Sequence, residues 1–397
     1  MKALLMTLVC AAPAVADWPQ FRGPNGSGVS GDKNLPEKFD ATTQKWAADL
    51  PGRSVASPIA FGGKVYVACS SGERQDRLHV VAFDAATGKR LWHRQLAATG
   101  STACHPKSAM AAMTPVADEK GVYTLFATGD LVAFDHAGKL LWYRSLVGDY
   151  PTISNQLGLA SSPALVKGKL IVPMDSAGES FIAALDTGTG KNLWKTERPR
   201  DINWATPVVR ELTSSDAEVL QQGPKDVSAY DLTTGKKKWS HKAAGGGATT
   251  PTLAEGLLVV PTGGVSVFKP GDGKLEEVWT SPKYRSGYAS PLYFDGRVYA
   301  VAAGRVFSAD AKTGKEVWAY TLKGKQGTMY ASPVAGDGKV YVLGDAGVLT
   351  VLKAGGDGEE ELSVTELKAE CMGTPAISGG AVFVQTAKQL LCFAAKK

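Results

Sequence analysis

Cysteine and histidine are scarce, with five of each in 397 residues. No two cysteines are adjacent and there is no CxxC or CxxCH, which excludes the usual zinc and haem attachment signatures. No long Lys/Arg block exists either. The densest run is Lys236, Lys237 and Lys238, in a chain of net charge +6. A nucleic-acid binder gathers its charge on one face beside aromatic platforms, so no nucleic-acid partner is expected. Beyond the first residues no apolar run is long enough to span a membrane. Hydrophobic residues at 44% and charged residues at 21% allow a packed core.

The opening MKALLMTLVCAAPAVA has one cation, a short apolar run and a small-residue end, the order of a secretory signal. Residues 1–16 are read as a signal peptide cleaved after Ala16, which predicts a periplasmic or secreted protein. Cys10 follows Val9, where a lipobox wants a small residue, so simple cleavage is preferred to lipidation. Cys69, Cys104, Cys371 and Cys392 remain. They permit two disulfides in three pairings, or stay as buried thiols that act as small hydrophobes.

Glycine (45) and proline (21) are plentiful and spread along the chain, as in a protein of many turns. They fall in a repeat. FDAATGKRLW at Phe83 returns as FDHAGKLLW at Phe134, LDTGTGKNLW at Leu185, YDLTTGKKKW at Tyr230 and ADAKTGKEVW at Ala309. FKPGDGKLEEVW at Phe268 is looser, and LKAGGDGEEELSV at Leu352 has lost its Trp. The period of about 40–50 residues suits propeller blades. Each unit also opens with Ser-Pro or Thr-Pro, at Ser57, Thr114, Ser162, Thr206, Thr250, Ser290, Ser332 and Thr374. Runs such as KVYVACS and KVYVLGD follow, with the period-two pattern of strands.

Each unit therefore reads as four strands, with Asp-x-x-Thr-Gly-Lys as the last hairpin turn. The Asp caps backbone N–H groups and the Gly takes the positive φ. Trp92, Trp142, Trp194, Trp239, Trp279 and Trp318 sit at the same place on the outer strands, suited to filling the wedge between blades. The Gly-Lys pairs are not phosphate loops, because Ser or Thr never follows, and Gly26–Gly31 spells GxGxxG without a strand before it. The eighth unit stops one strand short, while Trp46 lies in a spare strand near the other end. Ring closure is predicted: the Trp46 strand completes the last blade and pairs an open edge. The expected fold is all-β, an eight-bladed propeller of four-stranded antiparallel blades, with an extended segment over 17–44 and one propeller domain over 45–397.

The phrase AxDxxTGKxxW, once per blade, resembles the pyrroloquinoline-quinone (PQQ) repeat of quinoprotein-like propellers. The resemblance covers about Trp46 to Lys397. It implies two alternatives. One branch is PQQ-dependent dehydrogenases, with quinone and Ca²⁺ over the axis, a vicinal disulfide, a stacking Trp and a Glu/Asn/Asp metal set. No adjacent cysteines and no convincing metal set are found here. The other branch is similar to BamB, a scaffold of outer-membrane protein assembly that binds no quinone. The BamB-like alternative is preferred: a non-catalytic binding or scaffold module with protein partners in the envelope, monomeric, with no cofactor expected. PQQ with Ca²⁺ belongs to the alternative.

Propeller ligands favour the channel mouth, where outer strands lead to the next inner strands. Candidate mouth residues are Arg53, His105, Asn155, Gln156, Asn203, Trp204, Tyr284, Arg285, Tyr288 and Tyr330. Trp204 stands outside the outer-strand series and reads either as a loop anchor or as a stacking platform. A lone loop histidine such as His105, without a partner at metal spacing, is by default neither base nor ligand. No catalytic or metal residue is assigned.

Overall fold

In the computed structural model the described residues are 16–154, 157–214, 216–243, 245, 247–285 and 287–396. Alternating Val/Tyr/Ala-rich runs form eight four-stranded antiparallel sheets. Blades 1 to 7 span 59–97, 116–145, 164–197, 208–242, 252–281, 292–321 and 334–366. Blade 8 holds the three strands of 376–394, and its outermost strand is Gln44–Asp49. That strand runs antiparallel to Gln389–Ala394, with Trp46 opposite Cys392. The ring closes as the sequence predicts.

The repeated phrase is a joint between blades. Asp84 Oδ1 accepts the Thr87 N–H at 2.9 Å and the Thr87 hydroxyl at 2.7 Å, which folds the turn back on itself. Gly88 then has φ +70°, and a Cβ there would lie 2.5 Å from the Trp46 ring of the preceding blade. Glycine is required by both conformation and space. The Trp46 indole N–H donates to the Ala85 carbonyl at 3.1 Å. The same ring-on-glycine contact recurs as Trp92–Gly138, Trp142–Gly190, Trp194–Gly235 and Trp279–Gly314. In those four, the indole N–H reaches a carbonyl of the next blade at 2.8–3.1 Å.

The Ser/Thr-Pro marks build the inner ring. Each Ser or Thr donates its backbone N–H to the hydroxyl of its counterpart in the next blade. The bonds run Ser57 to Thr114 (3.2 Å), Thr114 to Ser162 (2.9 Å), Ser162 to Thr206 (3.3 Å) and Thr206 to Thr250 (3.0 Å). They continue Thr250 to Ser290, Ser290 to Ser332 and Ser332 to Thr374 (3.0 Å each), and Thr374 returns to Ser57 (2.9 Å). Each bond is worth only about 1 kcal/mol net, but the closed circle fixes all eight blades at one radius. Proline at the next position has no N–H to compete.

The segment before blade 8's outer strand crosses one end of the channel. Trp18 pairs with Ala60, the Pro19 carbonyl accepts the Ala117 N–H, and Gln20 Oε1 accepts the Leu165 N–H. Further on, Gly28 and Ser30 bond both sides of Ala335, and Asp32 accepts the Gly380 N–H. Ala60, Ala117, Leu165 and Ala335 each lie three residues past a ring hydroxyl, so the segment sits at one level below the ring. Trp18 and Arg22 are fully buried. The four cysteines are free thiols; burial pushes Cys69, Cys371 and Cys392 up to about 12, which makes them unreactive fillers.

Candidate functional site: a blind chamber on the propeller axis

The channel is a chamber of about 450 Å³, within the usual range of small-ligand sites. Its wall is the ring of eight Ser/Thr residues, and Phe21 from the crossing segment also lines it. The mouth carries His105, Lys107, Leu157, Trp204, Tyr288, Tyr330 and Met372. The rings of Tyr288 and Tyr330 lie 4.7 Å apart at 33°, and Tyr288 is 47% exposed. Tyr288 and Tyr330 come from two successive inter-blade loops, so the ring that fixes the blades also brings these rings together.

Trp204 anchors its loop and faces the chamber. Its indole N–H donates to the Gly158 carbonyl at 2.9 Å. His105 stands at the mouth, where its N–H donates to the Leu157 carbonyl and its Nδ1 accepts the Lys107 N–H. The loop between blades 1 and 2 thus reaches over the opening. Lys107 ties its far side to Asp345 Oδ2 (3.3 Å) and Glu370 Oε1 (3.5 Å). The Asp345 bond raises the Lys107 pKa, so the ammonium stays charged. Arg53 supports this loop from outside, donating to the Pro106 carbonyl at 3.0 Å, with Glu370 3.9 Å away.

Arg53 does not line the chamber, and three further predicted mouth residues are also elsewhere. Asn203 is buried and donates to Asp175 (2.8 Å) and the Gln222 carbonyl (2.8 Å), beside the Arg198–Asp175 ion pair. Its amide found a buried carboxylate and so serves to join blades 3 and 4. Tyr284 is also buried, edge-on to Trp279 with its hydroxyl on the Gly314 carbonyl (3.1 Å). Arg285 is exposed and does not line the chamber. Asn155 and Gln156 lie outside the described residues. The sequence reading missed Phe21, and it took the Ser/Thr-Pro marks only as a beat. Their recurrence once per blade, always before a proline, was the signal available.

The chamber's lining includes no Asp or Glu, so it holds no pair of carboxylates; its titratable side chains are His105, Lys107, Tyr288 and Tyr330. Among the described residues no cluster of three or more His, Cys, Asp or Glu could hold a metal ion.

A family profile described as outer membrane protein assembly factor BamB matches residues 38–197 and 178–397. Polyvinylalcohol dehydrogenase of a Pseudomonas species is 28% identical over 241 residues, 49% of this chain and 35% of that protein. The chain thus spans about a third of the length of the polyvinylalcohol dehydrogenases it matches. BamB of Bordetella pertussis is 23% identical over 333 residues, 83% of this chain and 69% of that one. Among solved structures, BamB from Moraxella catarrhalis superposes with a TM-score of 0.64 at 17% identity, covering 89% of this chain and 98% of that one. The repeated joints, the closed ring and these matches agree: the chain belongs to the PQQ-repeat propeller family that this BamB profile describes.

Proposed function

We propose that the protein is a non-catalytic binding or scaffold module that makes protein contacts in the cell envelope, as the name of its BamB relatives suggests for them. One observation carries this reading: the axial chamber has an aromatic mouth and a hydroxyl wall but no carboxylate in its lining. Calcium wants six to eight oxygen ligands, carboxylates prominent among them. That donor set does not suit a quinone held by Ca²⁺. The eight wall hydroxyls each already accept an N–H bond, and among the described residues no histidine or carboxylate is hydrogen-bonded to them. The signal peptide read over 1–16 supports an envelope location, and among the described residues no helix is long and apolar enough to cross a membrane.

The second reading is a PQQ-dependent oxidoreductase, favoured by the dehydrogenase relatives that match half of the chain. Two measurements separate the readings. A photo-crosslinking residue at Tyr288 or Tyr330 is expected to give discrete protein adducts in intact cells, absent when it replaces exposed Lys312. Purified protein given PQQ and Ca²⁺ is expected to lose the quinone on desalting and to show no dye-linked alcohol oxidation. Stoichiometric quinone with turnover, or a mouth without adducts, refutes the scaffold reading.

A further inference from the structure

Three features of the chamber point to the same kind of occupant. The first is an excess of donors. A hydroxyl carries one proton. Each ring oxygen accepts a neighbour's N–H, and none of the eight protons has a protein acceptor among the described residues. All eight residues are buried and all line the chamber. A buried donor left unmatched is costly, so the wall favours a group rich in acceptors.

The second feature is charge. Arg22 follows the floor residue Phe21 and is fully buried, with no ion pair among the described residues. Its Nη2 donates to the carbonyl of Pro291 (2.6 Å), the residue after ring member Ser290, and to that of Ser27 (3.3 Å). Its Nε and Nη1 have no partner. Burial lowers its pKa to about 9, which leaves it cationic at neutral pH. Arg22 does not itself line the chamber, but an unpaired buried cation one residue from Phe21, with no carboxylate in the lining, favours an anion there.

The third feature is shape. The crossing segment lies at one level below the ring in blades 1, 2, 3 and 7, and Phe21 stands in the chamber. A closed end admits the terminus of a chain and not its middle. The mouth above presents aromatic and apolar side chains, Trp204, Tyr288, Tyr330, Leu157 and Met372, beside His105 and the ion-paired Lys107.

We infer that the chamber captures the C-terminal carboxylate of a protein partner, with the carboxylate on the hydroxyl ring and an apolar last residue against Trp204 and the tyrosines. An N-terminus would bring a cation to the same donors and is disfavoured. This rests on the scaffold reading and names what its chamber recognises. Capture of a chain end by converging donors is an established mode of peptide recognition.

The test uses the purified full chain and calorimetric titration with acetyl-Ala-Ala-Leu as the free acid and as the C-terminal amide. The acid is expected to bind at one site, at least 10-fold tighter than the amide. Ala160→Glu, at a half-buried position of the lining, places a carboxylate in the chamber and should weaken the acid at least 10-fold. Arg22→Met should also weaken it, with a melting curve to show that the variant is folded. Equal binding of acid and amide, no binding at millimolar peptide, or an unaffected Ala160→Glu overturns the inference. The same carboxylate chemistry could come from a free acid, so 4-methylpentanoate is titrated in parallel. If it binds as tightly as the peptide, the chain-end assignment fails. Loss of peptide binding while Tyr288 crosslinks persist refutes this inference alone; quinone turnover refutes the broader reading.

Discussion

The joint from blade 3 to blade 4 and the joint from blade 4 to blade 5 look alike in burial and differ in chemistry. Trp194 and Trp239 are 8% and 7% exposed. Trp194 rests on Gly235 and donates to the Leu232 carbonyl. Trp239 has neither contact, and its indole nitrogen is buried without a partner. The following blade explains this. Blade 4 turns through Asp-Leu-Thr-Thr-Gly-Lys, whereas blade 5 turns through Pro-Gly-Asp-Gly-Lys. Trp318 repeats the pattern: its nitrogen is also unpartnered, and blade 7 has the degenerate turn. The wedge alone is enough to bury a tryptophan. A turn in the next blade that keeps its Asp and sets its Gly against the ring, as the shorter Asp135–Lys139 turn also does for Trp92, is what satisfies the N–H.

The joint that closes the ring should be the most sensitive. Trp46→Ala is expected to cost about 3–5 kcal/mol, as for other large buried aromatics, against a usual domain stability of about 5–15 kcal/mol. Denaturant unfolding measures this, and removal of 17–50 should abolish cooperative melting. A truncated protein that melts at the full-length temperature would contradict the closure energetics.

Glycine substitutions come next. Gly190→Ala should lose about 1–3 kcal/mol through positive-φ strain, plus a clash with Trp142, whose ring lies 2.6 Å from the added Cβ position. Gly273→Ala at the degenerate turn also has positive φ, but nothing lies within 4 Å, so only the backbone strain remains. Equal losses in denaturant unfolding would mean that the ring contact carries no weight.

Removing one N–H is a finer probe. Trp194→Phe leaves the Leu232 carbonyl without its donor and should cost about 1 kcal/mol beyond the packing change. Trp239→Phe removes an unpartnered buried donor and should be the milder of the pair. The difference between the two in denaturant unfolding, taken as a pair, tests whether the joints differ in polar chemistry.

The smallest effect concerns acid. The hydroxyls of Thr87, Thr189 and Thr313 hold Asp84, Asp186 and Asp310 below the ordinary carboxylate value of 3.8. A depressed folded-state pKa gives stability that is present above pH 3.8 and is lost as pH falls through the lower folded value. Changing Asp84, Asp186 and Asp310 to Asn should remove that stability at neutral pH and so flatten the stability-versus-pH curve, with little change at the acid end, where the carboxyls are already protonated. An unchanged acid limb would show that the turn carboxylates do not titrate with folding.

The joints and the closure were legible because the residues that make them recur in phase: Asp, Gly and Trp are each needed once per blade. The chamber was legible only at its mouth. His105, Trp204, Tyr288 and Tyr330 line it, because aromatic and polar residues between an outer strand and a Ser/Thr-Pro can face the axis. Asn203 and Tyr284 occupy similar loops but turned into the wedges, where a buried carboxylate and a backbone carbonyl were waiting. No local pattern announces such a distant partner. The floor was hidden for the same reason. Phe21 and Arg22 sit in a segment without periodicity; Phe21 meets a chamber walled by all eight blades, and Arg22 bonds the Pro291 carbonyl just before blade 6, far along the chain.

The crossing segment and the strand Gln44–Asp49 precede all the other blade strands in the chain but bond to residues of blade 8. Until blade 8 exists, the strand Gln44–Asp49 has no strand to join, and Trp46 lacks part of the surface that buries it. The contacts that complete the ring are therefore among the longest-range in the protein, and such contacts form late and slowly. Folding is expected to end with the docking of Gln44–Asp49 onto blade 8. An unclosed ring exposes the open edge of blade 8 and the Trp46 indole, which makes the interval before docking the time of greatest risk of aggregation.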